Sequence, residues 1–306
     1  MRLSTSTNIC AFQRGRERLP VEFCIETCAD AGYRVLDVNF CMAMNPDSPL
    51  RGDAWEGYVH GIGRLARERG IEFSQSHLPY YDVFACRDAA YAAVMEELIR
   101  RCIIASGMLG VGWAVTHPCT VYEAGHDMRV SHERNLQYYA PHVALAREAG
   151  VGIALENDFE YQGAAPRQRV FCASVYELIA LVDAFQDPER VGVCYDFGHA
   201  HMTGANHRAN LNASGARLRA VHVQDNHGVQ DEHLMPFYGT IDWAEAMAGL
   251  RDIGYAGDLT YEIQEFGRCL PRELKHLAVR QSIEIGNYLL RLYESAANIE
   301  TKESLQ

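Results

Sequence analysis

The sequence predicts a (β/α)8 TIM barrel, an α/β fold, on three observations. Eight short apolar runs alternate with helical patterns along 306 residues. No stretch rich in Pro, Gly or Ser divides the chain. Four side chains able to ligate a metal, Glu156, Asp196, His222 and Glu262, each end a separate apolar run. Length alone allows one barrel or two smaller domains. The repeated strand–helix alternation selects the barrel.

The expected strands are Leu3–Thr7, Arg34–Phe40, Glu72–His77, Gly112–His117, Val151–Asn157, Val191–Asp196, Leu218–Gln224 and Asp258–Ile263. Most are near-continuous apolar runs, as strands buried on both faces are. After the second, Trp55, Tyr58, Val59, Ile62, Leu65 and Ala66 recur at helical spacing until Arg67-Glu-Arg-Gly70 stops the helix. Leu277, Ile285, Tyr288, Leu289 and Leu292 repeat that spacing in the last helix. Ser131 and Ser174 are expected N-caps, the second with Glu177 in a capping box. Ala31-Gly32 and Ala149-Gly150 are expected to close helices just before strands. One domain is expected over 1–295, then a polar tail, 296–306.

The net charge of −12 argues against nucleic-acid binding, which rests on phosphate neutralisation. The N-terminal Met1-Arg-Leu-Ser-Thr-Ser reads as no signal segment, and no uncharged stretch is long enough to span a bilayer. A cytoplasmic protein is the resulting expectation. The ten cysteines form no Cys-x-x-Cys and read as reduced thiols, most of them buried, with Cys24 and Cys28 on one helix face.

In a barrel, the C-terminal strand ends form the active-site mouth. Glu156, Asp196, His222 and Glu262 then converge from strands five to eight. Residues two positions earlier face the same interior, and these are small: Ala154, Cys194, Ala220 and Thr260. Buried charges need partners. Three carboxylates and an imidazole suit one divalent ion, with Mn²⁺ favoured and Co²⁺, Mg²⁺ or Zn²⁺ as alternatives. His77, His117, His199, Asp225 and His233 lie at the same mouth and are candidate substrate contacts. Phe40, Tyr80 and Tyr81 are candidate pocket walls, and Trp113 reads as core. His60, His126, His132, His142, His207 and His276 read as surface groups, while His201 and His227 stay unassigned. Arg268 and Arg272 read as surface arginines rather than a phosphate site.

These residues resemble the sugar phosphate isomerase/epimerase superfamily, the xylose isomerase-like barrels that include ketose 3-epimerases and endonuclease IV. The carriers are Ala154-Leu-Glu156-Asn157, Asp196-Phe-Gly-His199, His222-Val-Gln-Asp225, Asp231-Glu-His233 with Pro236-x-x-Gly239-x-Ile241-Asp242, and Glu262. The resemblance implies that Glu156, Asp196, His222 and Glu262 hold the ion. It implies that Glu156 and Glu262 also carry protons and that His199 holds the substrate. The implied reaction is sugar or keto-polyol isomerisation or epimerisation, by proton abstraction and return through a metal-stabilised enediolate. A homo-dimer or tetramer is implied by analogy. Two departures argue against an ordinary ketohexose 3-epimerase: Gly228 stands where those enzymes tend to carry arginine, and the Pro-Gly-x-Gly turn is Pro236-Phe-Tyr-Gly239. Lyase or dehydratase relatives acting on keto-sugars, inosose or C-glycosides stay open. So does an endonuclease IV-like metallophosphodiesterase, because His77, His117, Glu156, Asp196, His199, His222, Asp231, His233 and Glu262 match its site by type and order.

Overall fold

The computed structural model describes residues 1–13, 18–125, 127–160 and 169–295. The expected tail, 296–306, and His126 lie outside the described residues. Eight parallel strands form one sheet: β1 (Leu3–Ser6), β2 (Val35–Asn39), β3 (Glu72–His77), β4 (Trp113–Thr116), β5 (Gly152–Glu156), β6 (Val191–Asp196), β7 (Leu218–His222) and β8 (Leu259–Tyr261). β1 to β7 pair in sequence order, β8 pairs with β1, and an isolated parallel bridge between Val223, just after β7, and Tyr261 closes the ring. The expected strands match these within two residues at each end.

The helices are α1 (Val21–Ala31), α2 (Trp55–Glu68), α3 (Ala89–Met108), α4 (Met128–Ala149), α5 (Val175–Ala184), α6 (Phe197–Met202), α7 (His207–Ser214), α8 (Trp243–Asp252) and α9 (Lys275–Ser295). Their apolar faces pack on the outer face of the sheet, where Leu36, Val38, Ile153, Leu155, Val193 and Val221 are buried. Inside the ring a separate small cluster of Val115, Ala154, Cys194 and Ala220, with Trp113 against it, fills the barrel. Trp113 is therefore interior packing. Among the described residues no helix is long and apolar enough to cross a membrane.

Two helix starts differ from expectation. Asp127, not Ser131, caps α4, accepting from the Arg129 backbone N–H at 3.2 Å, because Met128 adds a buried apolar position one turn earlier. Ser131 lies inside the helix, and its hydroxyl accepts from the Val121 N–H. Ser174 does precede α5, but its side chain makes no cap bond. Glu177 turns instead to the Cys172 N–H and Arg169, so no capping box forms. Gly32 and Gly150 do close α1 and α4 with positive φ.

His142 and His207 are core residues, not surface groups. His142 packs in the α4 face with Tyr139 and Val143, its Nε2 3.2 Å from Glu96. His207 is 7 % exposed, its Nδ1 3.1 Å from the Tyr195 hydroxyl. Burial, helped by nearby His201, pushes its pKa down to about 4. The unfolded chain therefore takes up a proton on this group near pH 6.5, before the folded chain does. Its contribution to stability is whole above pH 6.5 and is lost as pH falls towards 4. Urea unfolding of wild type and His207→Gln across that range should show the steeper acid loss in wild type. Parallel curves would contradict it.

Candidate active site

The site is built in layers on the barrel interior. Strand alternation places Gln75, Val115, Ala154, Cys194, Ala220 and Thr260 two residues below His77, His117, Glu156, Asp196, His222 and Glu262. The lower residues are small or uncharged and leave the upper ones room to converge. Thr260 Oγ1 lies 3.5 Å from Gln75 Oε1 across the ring.

Above them, Glu156, Asp196, His222 and Glu262 each bring one ligand atom to within 4.8 Å of the others. His222 Nδ1 is 2.8 Å from Glu156 Oε1 and 3.5 Å from Glu262 Oε2. Glu156 Oε2 and Asp196 Oδ2 are buried with no hydrogen-bond partner. Leaving a buried carboxylate oxygen unpaired is costly. This donor set of three carboxylates and one imidazole, with two orphan oxygens, fits a divalent cation.

The charges are strongly coupled. Burial works against the Glu156 carboxylate, but His222 and His117 overcome it and hold it well below the usual range. Burial also opposes the charged forms of Glu262 and His222. His222 and His233 still hold Glu262 below its ordinary value, and Glu156 and Glu262 lift His222 to about 9. Asp196 is pushed up to about 7 by burial, against the pull of His199.

Asp196 also starts α6. Its Oδ1 accepts from the His199 N–H at 2.7 Å, which brings the His199 ring to the mouth. Asn157 braces the pair: its Oδ1 accepts from the Asp196 N–H at 2.8 Å and its Nδ2 donates to the Asp196 carbonyl. A layer of histidines then faces the cavity. Backbone carbonyls can only accept, so His77 Nδ1 donates to Leu78, His199 Nδ1 to Asn157 and His233 Nδ1 to Glu262, at 2.8–2.9 Å. Each Nε2 is thereby turned inward; burial opposes the imidazolium, but Cys41 and Glu156 at His77, Asp196 and Asp231 at His199, and Asp231 at His233 raise all three pKa values above the ordinary one. His77 Nε2 is 3.2 Å from His117 Nε2, and these lie 3.6 and 3.3 Å from Glu156 Oε2. His233 Nε2 is 2.8 Å from Asp231.

The cavity above encloses about 940 Å³. His77, His117, His199, His233, Asp231 and Glu262 line it, with Tyr80 and Tyr81 on its wall. Glu156, Asp196 and His222 lie beneath that floor. Phe40 is fully buried and is not a wall residue.

Asp225 does not meet the cavity. It is fully buried and accepts from the N–H groups of Asn226, Phe237 and Ile241 and from Trp243 Nε1. It anchors the loop from β7 to α8, and Gly239 lets that loop pass: a Cβ there would meet Asp225 Oδ1 at 2.3 Å. Gln224 faces inward instead, its Nε2 donating to Asp231 at 2.6 Å and to Asp196 at 3.3 Å. Asp158 also lines the cavity, its pKa pushed up to about 6 by burial against the pull of His199. Sequence reasoning missed both, although strand parity points to Gln224, two residues after His222. His201 bonds Thr240 and His227 pairs with Glu232, both away from the cavity. Arg268 pairs with Glu265, and Arg272 lies over the Phe23 ring at 4.6 Å.

A family model described as a xylose isomerase-like TIM barrel matches residues 25–285. An uncharacterized protein of Methanocaldococcus jannaschii is 28% identical over 225 residues, 69% of this chain and 74% of that protein. A probable endonuclease 4 of Methanoculleus marisnigri is 30% identical over 215 residues, 65% of this chain and 71% of that protein. The solved structure of a D-tagatose 3-epimerase-like protein superimposes with a TM-score of 0.74 at 20% identity, covering 97% of this chain and 100% of that one.

Proposed function

We infer function from one premise: this chain belongs to the xylose isomerase-like TIM barrel family. The reading supported best is a divalent-metal-dependent isomerase or epimerase of a small sugar or keto-polyol. The observation that carries it is the convergence of Glu156, Asp196, His222 and Glu262, with two buried carboxylate oxygens lacking partners. These four would hold the ion, Mn²⁺ being favoured by the oxygen-rich set. When bound, such an ion polarises the substrate carbonyl and offsets charge that develops on its oxygens. The barrel similarity to a D-tagatose 3-epimerase-like protein agrees with this reading.

The chain's own groups supply the rest. Glu262 lies in the cavity floor and takes the proton from the carbon beside the carbonyl. Glu156, its Oε2 under the His77–His117 pair, acts from the other face and returns to the substrate a proton drawn from the His77 ring, whose Nε2 lies 3.6 Å away. Return to the same carbon is epimerisation; return to its neighbour is isomerisation. His77, His117, His199 and His233 contact substrate hydroxyls, and Tyr80 and Tyr81 restrict water. Gly228 lies outside the cavity lining, near His201, so no arginine of the ketohexose 3-epimerase kind acts from that position.

A metallophosphodiesterase is the second reading. Its support is the set of inward Nε2 atoms: His117, Glu156 and His199 form one further group of candidate ligands, and His199, Asp231 and His233 another. The relative named probable endonuclease 4 agrees with it. Alanine variants of His77 and His117 separate the two. The isomerase reading expects unchanged metal content by elemental analysis and a raised KM, about tenfold or more per lost hydrogen bond to substrate. Loss of stoichiometric zinc from either variant would support the phosphodiesterase.

A further inference from the structure

One side of the cavity carries amides where the other carries imidazoles. Ser6 and Asp37 are register partners on β1 and β2, and Ser6 Oγ donates to Asp37 Oδ1 at 3.2 Å inside the barrel. Ser6 also follows the Thr5–Tyr261 pair, which sets it level with Glu262. Two residues further along each segment, the same inward parity gives Asn8, Asn39 and Gln264, and all three line the cavity. In the eight-strand ring β1 stands opposite β5, so this row lies across the mouth from the end of β5. Two of the amides are held by their oxygens. Gln264 Oε1 accepts from Asn8 Nδ2 at 3.1 Å, and Asn39 Oδ1 accepts from the Cys41 N–H at 3.0 Å. The Asn39 backbone N–H donates to Thr7 Oγ1 at 3.0 Å, which fixes its base. The amide nitrogens, Gln264 Nε2 and Asn39 Nδ2, have no hydrogen-bond partner among the described residues, and both side chains are only partly buried. An amide with its oxygen so engaged presents N–H donors to the cavity.

We propose that Gln264 and Asn39 are specificity-determining residues whose NH2 groups donate to substrate hydroxyl oxygens away from the reacting carbons. This rests on the isomerase or epimerase reading above. The reacting carbons lie over the four converging ligand side chains, at the ends of β5 to β8. The cavity runs on from there past β8, β1 and β2. A sugar held at the reacting end therefore sets its remaining hydroxyls against Gln264, two residues beyond Glu262, and then Asn39. A neutral amide suits a hydroxyl, because it pairs the oxygen without the desolvation cost of burying a charge. Asn8 and the Cys41 N–H hold the two amides in place before substrate arrives, which lowers the cost of ordering them on binding. A site built to hydrogen-bond a hydroxyl rejects the analogue that lacks it, since its own polar groups are left unpaired.

The test pairs two substitutions with monodeoxy analogues of the ketose or keto-polyol that wild type binds most tightly. Gln264→Met keeps the side-chain length without the amide. Asn39→Ser keeps an oxygen to cap the Cys41 N–H and drops the NH2 group. Both side chains are partly open to the cavity, so neither change disturbs the core. Dissociation constants are measured by calorimetry on the Mn²⁺-loaded full chain, and KM and kcat wherever the sugar is converted. Each variant should bind the full sugar about tenfold more weakly, with KM rising more than kcat falls. For each variant, one deoxy analogue should already lose as much with wild type. That analogue should lose no more with the variant, because the hydroxyl and its donor are then missing together. A fold-change that is the same for every analogue would mark a merely structural effect and overturn the proposal. So would unchanged binding in either variant, or no binding of any ketose or keto-polyol. Sugars that bind without being converted would remove the isomerase reading instead, and the dissociation constants would still decide the role of the amides.

Discussion

Glu262→Gln is expected to lower turnover by ~10²–10⁴-fold, the range general acid–base catalysis typically contributes. Glutamine keeps the size and one coordinating oxygen but cannot act as a carboxylate base. Glu262 lies in the cavity floor, 3.5 Å from His222, so the change removes the base from the reacting face with little change in packing. Glu156→Gln should cost at least as much. Its carboxylate faces His222 at 2.8 Å and the His77–His117 pair, so losing the charge also unbalances three imidazoles. In both variants kcat should fall more than KM rises, measured on the sugar that wild type converts fastest. Near-normal kcat in both would remove the two-glutamate mechanism.

His222→Ala or Asp196→Ala should abolish metal retention and, with it, essentially all turnover. EDTA should do the same to wild type, with Mn²⁺ or Co²⁺ restoring it. The barrel should still fold, because its packed interior layer is Val115, Ala154, Cys194 and Ala220, one layer lower. Far-ultraviolet circular dichroism checks the fold and elemental analysis checks the ion. Full activity in metal-free protein would contradict the assignment.

The strand ends were legible because parallel strands buried on both faces are short apolar runs, and a charged residue closing each run stands out. Glu156, Asp196, His222 and Glu262 meet in space because all four sit at the same end of one barrel. Asp225 was misplaced for a reason the chain itself holds. His222 and Gln224 share the inward parity, and Asp225 points out to the Trp243 loop. His142 and His207 were misread because a lone histidine on a helix has no local sign of burial. Only their packing beside Tyr139 and Tyr195 reveals it. The α4 start lay one turn earlier than Ser131 because Asp127 caps as well as serine does. The inward turn of the three Nε2 atoms was not legible, since it depends on which carbonyl each Nδ1 finds.

The central claim is a one-ion site that moves a proton on a sugar. Its most direct test is metal content measured together with solvent exchange on the same preparation. Purified wild-type chain is loaded with Mn²⁺, dialysed and counted, then incubated in D₂O with a panel of ketoses and keto-polyols. The account predicts one ion per chain, lost in His222→Ala. It also predicts sugar epimer or isomer as product, with deuterium on the carbon beside the carbonyl wherever the proton exchanges with solvent. Three tightly held zinc ions per chain, with cleavage of a phosphodiester and no conversion of any sugar, would contradict it.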